Sequence, residues 1–183
     1  MKMPDNFKII GSNVLIRADM EEDEYEGGIV VPETLLVHDW RAEVIQAGGK
    51  CEVVKKGDIV LYKKEDAVIP FSDSQEYRIT KEKGIVAKLQ QLKGNDFESI
   101  MPLGEMILCR PDSANRVIGG IHLPDKKVRK TYRAEIIRHG GEVDGKIFGV
   151  GRFVFFDTTY GIHCYEDEDH LCLISVHDIL CVG

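Results

Sequence analysis

The sequence predicts an all-β protein: two tandem β-barrel domains joined by a short linker. Three observations carry that expectation. One block of residues recurs at a fixed spacing. The apolar runs are short and rich in Val, Ile, Phe and Tyr. Gly, Asp, Asn or Pro interrupts them at close intervals, the punctuation of short strands rather than of long helices.

The recurrence comes first, because an overlooked repeat mis-assigns a whole fold. Gly27-Gly28-Ile29-Val30-Val31-Pro32 returns as Gly119-Gly120-Ile121-His122-Leu123-Pro124, an offset of 119 − 27 = 92. Arg41-Ala42-Glu43-Val44-Ile45 returns at the same offset as Arg133-Ala134-Glu135-Ile136-Ile137. Matching the apolar run Val14-Leu15-Ile16-Arg17 to Met106-Ile107-Leu108-Cys109 at 92 as well predicts equal lengths between that strand and the glycine pair in both copies. Further on, Lys56-Gly57-Asp58-Ile59-Val60-Leu61 corresponds to Val150-Gly151-Arg152-Phe153-Val154-Phe155, so a turn of the second copy is two residues longer, 150 − 56 = 94. The polar stretch Gln90-Gln91-Leu92-Lys93-Gly94-Asn95-Asp96 has no apolar period and marks the linker. The expected domains are residues 1–92 and 93–183, each of the size of a small single domain.

Within each copy the paired glycines Gly27-Gly28, Gly48-Gly49, Gly119-Gly120 and Gly140-Gly141 are expected to give positive φ or close backbone approach at strand corners. Pro32 and Pro124 cannot donate to a ladder and should end a strand or lie in a loop. The segments after them, Glu33 to Trp40 and Asp125 to Tyr132, are polar enough to lie outside a core. With the acidic run Glu21 to Glu26 they flank an apolar tripeptide, the pattern of an exposed loop that docks on a partner. The competing expectation is that Ile29, Val31, Ile121 and Leu123 end a buried strand, as alternating apolar residues commonly do.

Composition excludes several classes. The 183 residues carry 24 basic and 31 acidic side chains, a net charge of −7, and therefore lack the basic surface of a nucleic-acid binder. No run of eighteen apolar residues predicts a membrane span. Residues Met1 to Lys8 contain no apolar core of a signal peptide, so export is not expected and a cytoplasmic location is. Five cysteines, an odd number without framework spacing, suit thiols in a reducing compartment. Cys164, His170, Cys172, His177 and Cys181 include no Cys-x-x-Cys or His-x-x-x-His pair, so no metal site is expected. The acidic runs lack the ligand alternation of a calcium loop, and the basic run Lys126 to Lys130 reads as a solvated loop. No nucleophile stands at motif spacing from a base and no glycine-rich phosphate loop is present, so neither catalytic residues nor a cofactor are expected.

The order of strand, polar segment, Gly-Gly-Ile-x-apolar-Pro, variable loop, Ala-Glu-Val-Ile and Lys-x-Gly-Asp-x-Val resembles the GroES co-chaperonin family. Met101 to Met106 is similar to the opening strand of that family, and Ser175-Val176-His177-Asp178-Ile179-Leu180 to its closing strand. The resemblance implies that Gly27, Gly28, Gly119 and Gly120 belong to mobile loops. It implies that the tripeptides Ile29, Val30, Val31 and Ile121, His122, Leu123 bind the apical domain of a GroEL-type chaperonin. His122 places a titratable group in the second tripeptide, so docking there is expected to weaken on protonation. Lys50 to Lys55 is too short for the roof hairpin of the family, which implies a dome open at its top. Self-association follows from the resemblance, and a trimer of two-domain chains would form a pseudo-sixfold ring. The tandem fold is equally suited to a structural virion protein that decorates a phage capsid, with a bacterial or bacteriophage source and a location in host cytoplasm or virion.

Overall fold

The computed structural model describes residues 7–18, 41–69, 77–90, 99–112, 117–118, 121–122, 131–157, 161–166 and 169–183. Their strands are β1 (Asn13–Ala18), β2 (Arg41–Ala47), β3 (Ile59–Tyr62), β4 (Tyr77–Lys81), β5 (Ile85–Leu89), β6 (Met101–Pro102), β7 (Met106–Pro111), β8 (Val117–Ile118), β9 (Ile121–His122), β10 (Thr131–His139), β11 (Phe153–Asp157), β12 (Ile162–Glu166), β13 (Asp169–Ser175) and β14 (Ile179–Val182). Helix among the described residues is of the 3-10 type, in the single turns Lys64–Asp66, Glu82–Gly84 and Val176–Asp178 and at Ser99. The chain divides into two compact units, Met1–Met101 and Pro102–Gly183.

In the first unit neighbouring strands run β4-β1-β2-β3-β5, and in the second β12-β13-β7-β10-β11-β14. The orders coincide once β13, β7, β10, β11 and β14 are set against β4, β1, β2, β3 and β5. These neighbouring strands pair antiparallel. Even β12 has a remnant in the first unit: the isolated bridge Val68↔Ile79 stands where Ile162 pairs with Leu173 in the second. The duplication expected from sequence is therefore present strand by strand.

Registers correct one offset. Leu15 faces Gln46 and Ile16 faces Val44 across a bulge, whereas Leu108 faces Arg138 and Cys109 faces Ile136 across the corresponding bulge. Leu15 thus matches Leu108 and Gly11 matches Gly104, an offset of 108 − 15 = 93, while β2 and β10 keep 92. The segment between first strand and glycine pair is one residue shorter in the second copy, not equal as expected. The cause is physical. Val14, Leu15 and Ile16 are buried in succession, as are Met106 to Cys109, so the apolar run has no period-two phase by which sequence could fix the register.

The corners after β2 and β10 rest on one glycine each of the pairs Gly48-Gly49 and Gly140-Gly141. A Cβ on Gly48 would strike the carbonyl oxygen of Gly11, and one on Gly140 that of Gly104. Gly49 and Gly141 have open space around them and no positive φ. Turn conformations that need glycine occur instead at Gly57 (φ 89°) and its counterpart Gly151 (φ 85°). Gly57 donates to Val44 O at 2.8 Å and Gly151 to Ile136 O at 2.9 Å, so each such turn is pinned to the second strand of its copy.

The interiors differ although the frames match. Ile107, Cys109, Ala134, Ile136, Val154, Phe156, Cys172 and Ile174 form one fully buried cluster in the second unit. The corresponding positions of the first unit are Val14, Ile16, Ala42, Val44, Val60, Tyr62, Arg78 and Thr80. Three of the eight have become polar. Burial pushes the Tyr62 phenol up, opposed by the charge of Arg78 and a hydrogen bond with it. The Arg78 Nε atom is buried without a hydrogen-bond partner, so this barrel wall carries a desolvation cost absent from its duplicate.

At the turn before β3, Lys88 approaches Asp58 at 2.6 Å and the Lys55 amide donates to the same carboxylate at 2.9 Å. Burial acts to raise the Asp58 carboxyl, but the Lys88 and Lys55 contacts outweigh it and hold it below its ordinary value. A carboxyl depressed in the folded state contributes stability that is complete above the unfolded-state value and is lost as pH falls through the folded one. Asp58→Asn is therefore expected to lower the urea midpoint at pH 7, with a difference from wild type that shrinks from about pH 5 downward. Urea titrations of both proteins across that range check it. A difference independent of pH would show that packing, not charge, is what the substitution removes.

Candidate partner-binding site

Two glycines flanked by β-branched residues are a strong short hairpin signal. Val117-Ile118 precedes Gly119-Gly120, and Ile121-His122 follows. β8 and β9 are indeed paired antiparallel, Val117 with His122 and Ile118 with Ile121. They form a two-stranded sheet of their own, outside both larger sheets. Ile121 and His122 therefore stand in a pair separate from the barrel strands. Gly119, Gly120 and Leu123 of the second copy, and Gly27, Gly28, Ile29, Val30 and Val31 of the first, lie outside the described residues.

Val117 and Ile118 are the residues that sequence reasoning overlooked. Their signal was available in the near-symmetry of Val-Ile-Gly-Gly-Ile around the glycine pair. It does not recur in the first copy, where Tyr25-Glu26 stands at those positions. Polar Glu26 makes the first copy the less symmetric of the two around its glycines.

At the corner after β2, residues 48–58 contain no strand, and neither do residues 140–152 in the second unit. The shorter turn is held by one side chain. Glu82, in the 3-10 turn before β5, accepts from the Glu52, Val53 and Val54 amides at 3.0, 2.7 and 3.0 Å through Oε1. A carboxylate collecting successive N–H groups is a charge-assisted clamp, and it satisfies donors that no ladder reaches. The second unit has Val176 at the matching position and closes its longer turn from within. Asp144 accepts there through its side chain from the Lys146 amide at 2.9 Å, and through its carbonyl from the Ile147 and Phe148 amides. Burial, and then the charge of Glu82, pushes the neighbouring Cys51 thiol up.

These turns expose different chemistry. Val53 is the large apolar residue exposed in the first, among Lys50, Glu52, Lys55 and Lys56, whereas Ile147 and Val150 are exposed in the second. The closing 3-10 turn of the second unit is polar at its surface. His177 Nε2 lies 2.9 Å from Glu105 Oε2, and the His177 amide donates to Ser175 Oγ at 3.3 Å. Among the described residues no three His, Cys, Asp or Glu side chains converge as a metal site would require. What the described residues offer is a pair of repeated frames, the second accompanied by the separate β8-β9 pair.

The family model of the chaperonin 10 kDa subunit matches the sequence twice, over residues 6–89 and 99–183. The chain belongs to the chaperonin 10 kDa family. It is similar to the co-chaperonin GroES of Kosmotoga olearia, 37% identical over 82 residues that make up 44% of this chain and 92% of that relative. The co-chaperonin GroES of Thermotoga neapolitana is 34% identical over 84 residues, 44% of this chain and 91% of its own length. That of Thermosipho africanus is 35% identical over 83 residues. Each relative is thus the length of about one copy, and this chaperonin 10 kDa chain carries two. No helix among the described residues is long and apolar enough to cross a membrane.

Proposed function

We propose that the protein is a co-chaperonin that caps a GroEL-type chaperonin ring and assists protein folding without catalysing a reaction. The observation that carries the reading is the family match in both halves of one chain. Relatives named co-chaperonin GroES support it. The loops Gly27 to Val31 and Gly119 to Leu123 would be the docking elements, with Ile29, Val30, Val31, Ile121, His122 and Leu123 touching the chaperonin. Two domains, residues 1–92 and 93–183, would each supply one loop, acting in the cytoplasm.

Energetics then require self-association. Burying one Val or Leu side chain gains about 1.5–3 kcal/mol, and ordering a loop on docking takes back much of that. A single tripeptide is consequently a weak ligand. Several loops held on one ring raise the effective concentration of each and turn weak contacts into a tight complex. Three two-domain chains would present six loops in pseudo-sixfold symmetry. The turn at 48–58, which holds Lys50 to Lys55 and contains no strand, would leave the top of such a ring open.

The test is capture on an immobilised GroEL-type chaperonin with ATP, comparing wild type with the Val30→Asp, Leu123→Asp double variant. Wild type is expected to be retained and the double variant to lose at least about tenfold in retention, since each charge must be desolvated at an apolar contact. Retention that survives both changes refutes the tripeptide assignment. Absence of wild-type binding, with sedimentation alongside phage particles instead, replaces the co-chaperonin reading with the virion one.

A further inference from the structure

We infer that Cys109 and Cys172 form an oxidisable pair, a modification site in the wall of the second barrel at which a reversible intramolecular disulfide joins β7 to β13. The two residues are direct partners across those antiparallel strands. Both are fully buried and belong to the same core cluster, so their side chains leave the sheet on one face. No disulfide joins them in the structure. The pairing is particular to this copy, because Ile16 and Arg78 hold the matching positions of the first unit.

Ladder geometry sets the character of the bond. The Val176 amide donates to Glu105 O at 3.1 Å, so alternation along β7 and β13 makes Cys109 and Cys172 a hydrogen-bonded pair. Such pairs hold their Cα atoms about 5.5 Å apart, inside the range that a disulfide spans. Their Cβ atoms lie further apart than the bond prefers, which places it among strained, readily reduced disulfides rather than permanent staples. A bridged metal ion would need added room in this closed wall. A Cβ on Gly161 would already come within 2.8 Å of the Cys172 sulfur. Joining the sulfurs adds no atom to the wall and removes two hydrogens.

The oxidant is a small-molecule disulfide of the glutathione class. One protein thiolate attacks its S–S bond and forms a mixed disulfide with release of one glutathione thiol. The second protein thiolate then displaces the other glutathione. Two protein thiols are oxidised, one glutathione disulfide is reduced to two thiols, and the two protons pass to those products. Burial pushes the Cys109 thiol up to about 12, so the closed barrel keeps it protonated and unreactive. Oxidation therefore belongs to the open chain, during folding or a local opening, and closure then seals the product.

The full-length protein is unfolded in urea and refolded in oxidised or in reduced glutathione, and a native sample is incubated in oxidised glutathione for the same time. Expected is a loss of about 2 Da on refolding in oxidant, from the two departing hydrogens. Proteolysis should release a peptide pair joined through Cys109 and Cys172, and the native sample should react far more slowly. The oxidised form should resist urea more than the reduced one, by at most on the order of a thousandfold in the folding equilibrium for a loop of this length. Added thiol should reverse both changes once the oxidised chain is unfolded again in urea. Cys109→Ala and Cys172→Ala should each abolish the mass loss, and the peptide map of wild type decides the matter if either variant does not fold. Alkylation of both residues after oxidative refolding, glutathione adducts alone, or a mapped bond through Cys51, Cys164 or Cys181 each overturns the proposal.

Discussion

Replacing Gly140 by alanine is expected to cost the second unit at least about 3 kcal/mol, and Gly48→Ala the first unit as much. At either site the added methyl meets backbone rather than a side chain that could turn away. Gly48 faces the carbonyl oxygens of Gly11 and Asn13 and the carbonyl carbon of Ile10, while Gly140 faces Leu103 and Gly104. The backbone cannot retreat, because bonds tie the corner on both sides. Gly48 donates to Asn13 O at 2.9 Å and Lys50 to Gly11 O at 2.9 Å, with Gly140 to Met106 O at 2.8 Å and Glu142 to Gly104 O at 3.1 Å in the other copy. Relief of the clash must break at least one of these. For a unit of this size the loss corresponds to a fall in melting temperature of about 12 °C or more. Gly49→Ala and Gly141→Ala are the controls. Open space surrounds them, and both should melt within about 0.5 kcal/mol of wild type. Thermal denaturation of the four variants decides it, and equal behaviour of Gly48→Ala and Gly49→Ala would refute the close-approach account.

The same glycines show what the sequence could and could not convey. Paired glycines are visible as corner signals, yet nothing local distinguishes the member that touches a neighbouring strand from the member that faces solvent. That distinction depends on Gly11 and Gly104, more than thirty residues away along the chain. The repeat was legible because turn residues and alternating strand residues are constrained locally in each copy. Its first offset differs by one residue from the expected 92 because a run of consecutive buried residues has no phase. Ile121 and His122 were found as a shared block, whereas Val117 and Ile118 went unnoticed because the first copy does not repeat them. The Glu82 clamp was invisible for another reason: its partners are three main-chain amides, which leave no trace in residue type.

The two interiors also diverge in a way that sequence matching conceals, and Phe156→Ala is the substitution in which this difference has its largest expected effect. Phe156 is fully buried among Ile107, Ile136, Val154, Cys172 and Ile174. Truncation there removes the transfer energy of the ring and leaves a cavity bounded by strands that cannot collapse, a loss of about 3–5 kcal/mol. Its counterpart Tyr62 has a second attachment, the hydrogen bond with Arg78. Exchanging the two residue types isolates that attachment. Tyr62→Phe leaves the Arg78 guanidinium without its hydroxyl partner, and Phe156→Tyr places a hydroxyl in a wall where Cys172 holds the position matching Arg78. Each exchange makes the duplicated copies more alike, and each is nonetheless expected to destabilise by about 1–3 kcal/mol. Urea denaturation of the three variants tests the argument. If Tyr62→Phe stabilised the protein, the polar set in the first barrel would be tolerated packing rather than a matched pair, and the two interiors would be interchangeable as their shared frame suggests.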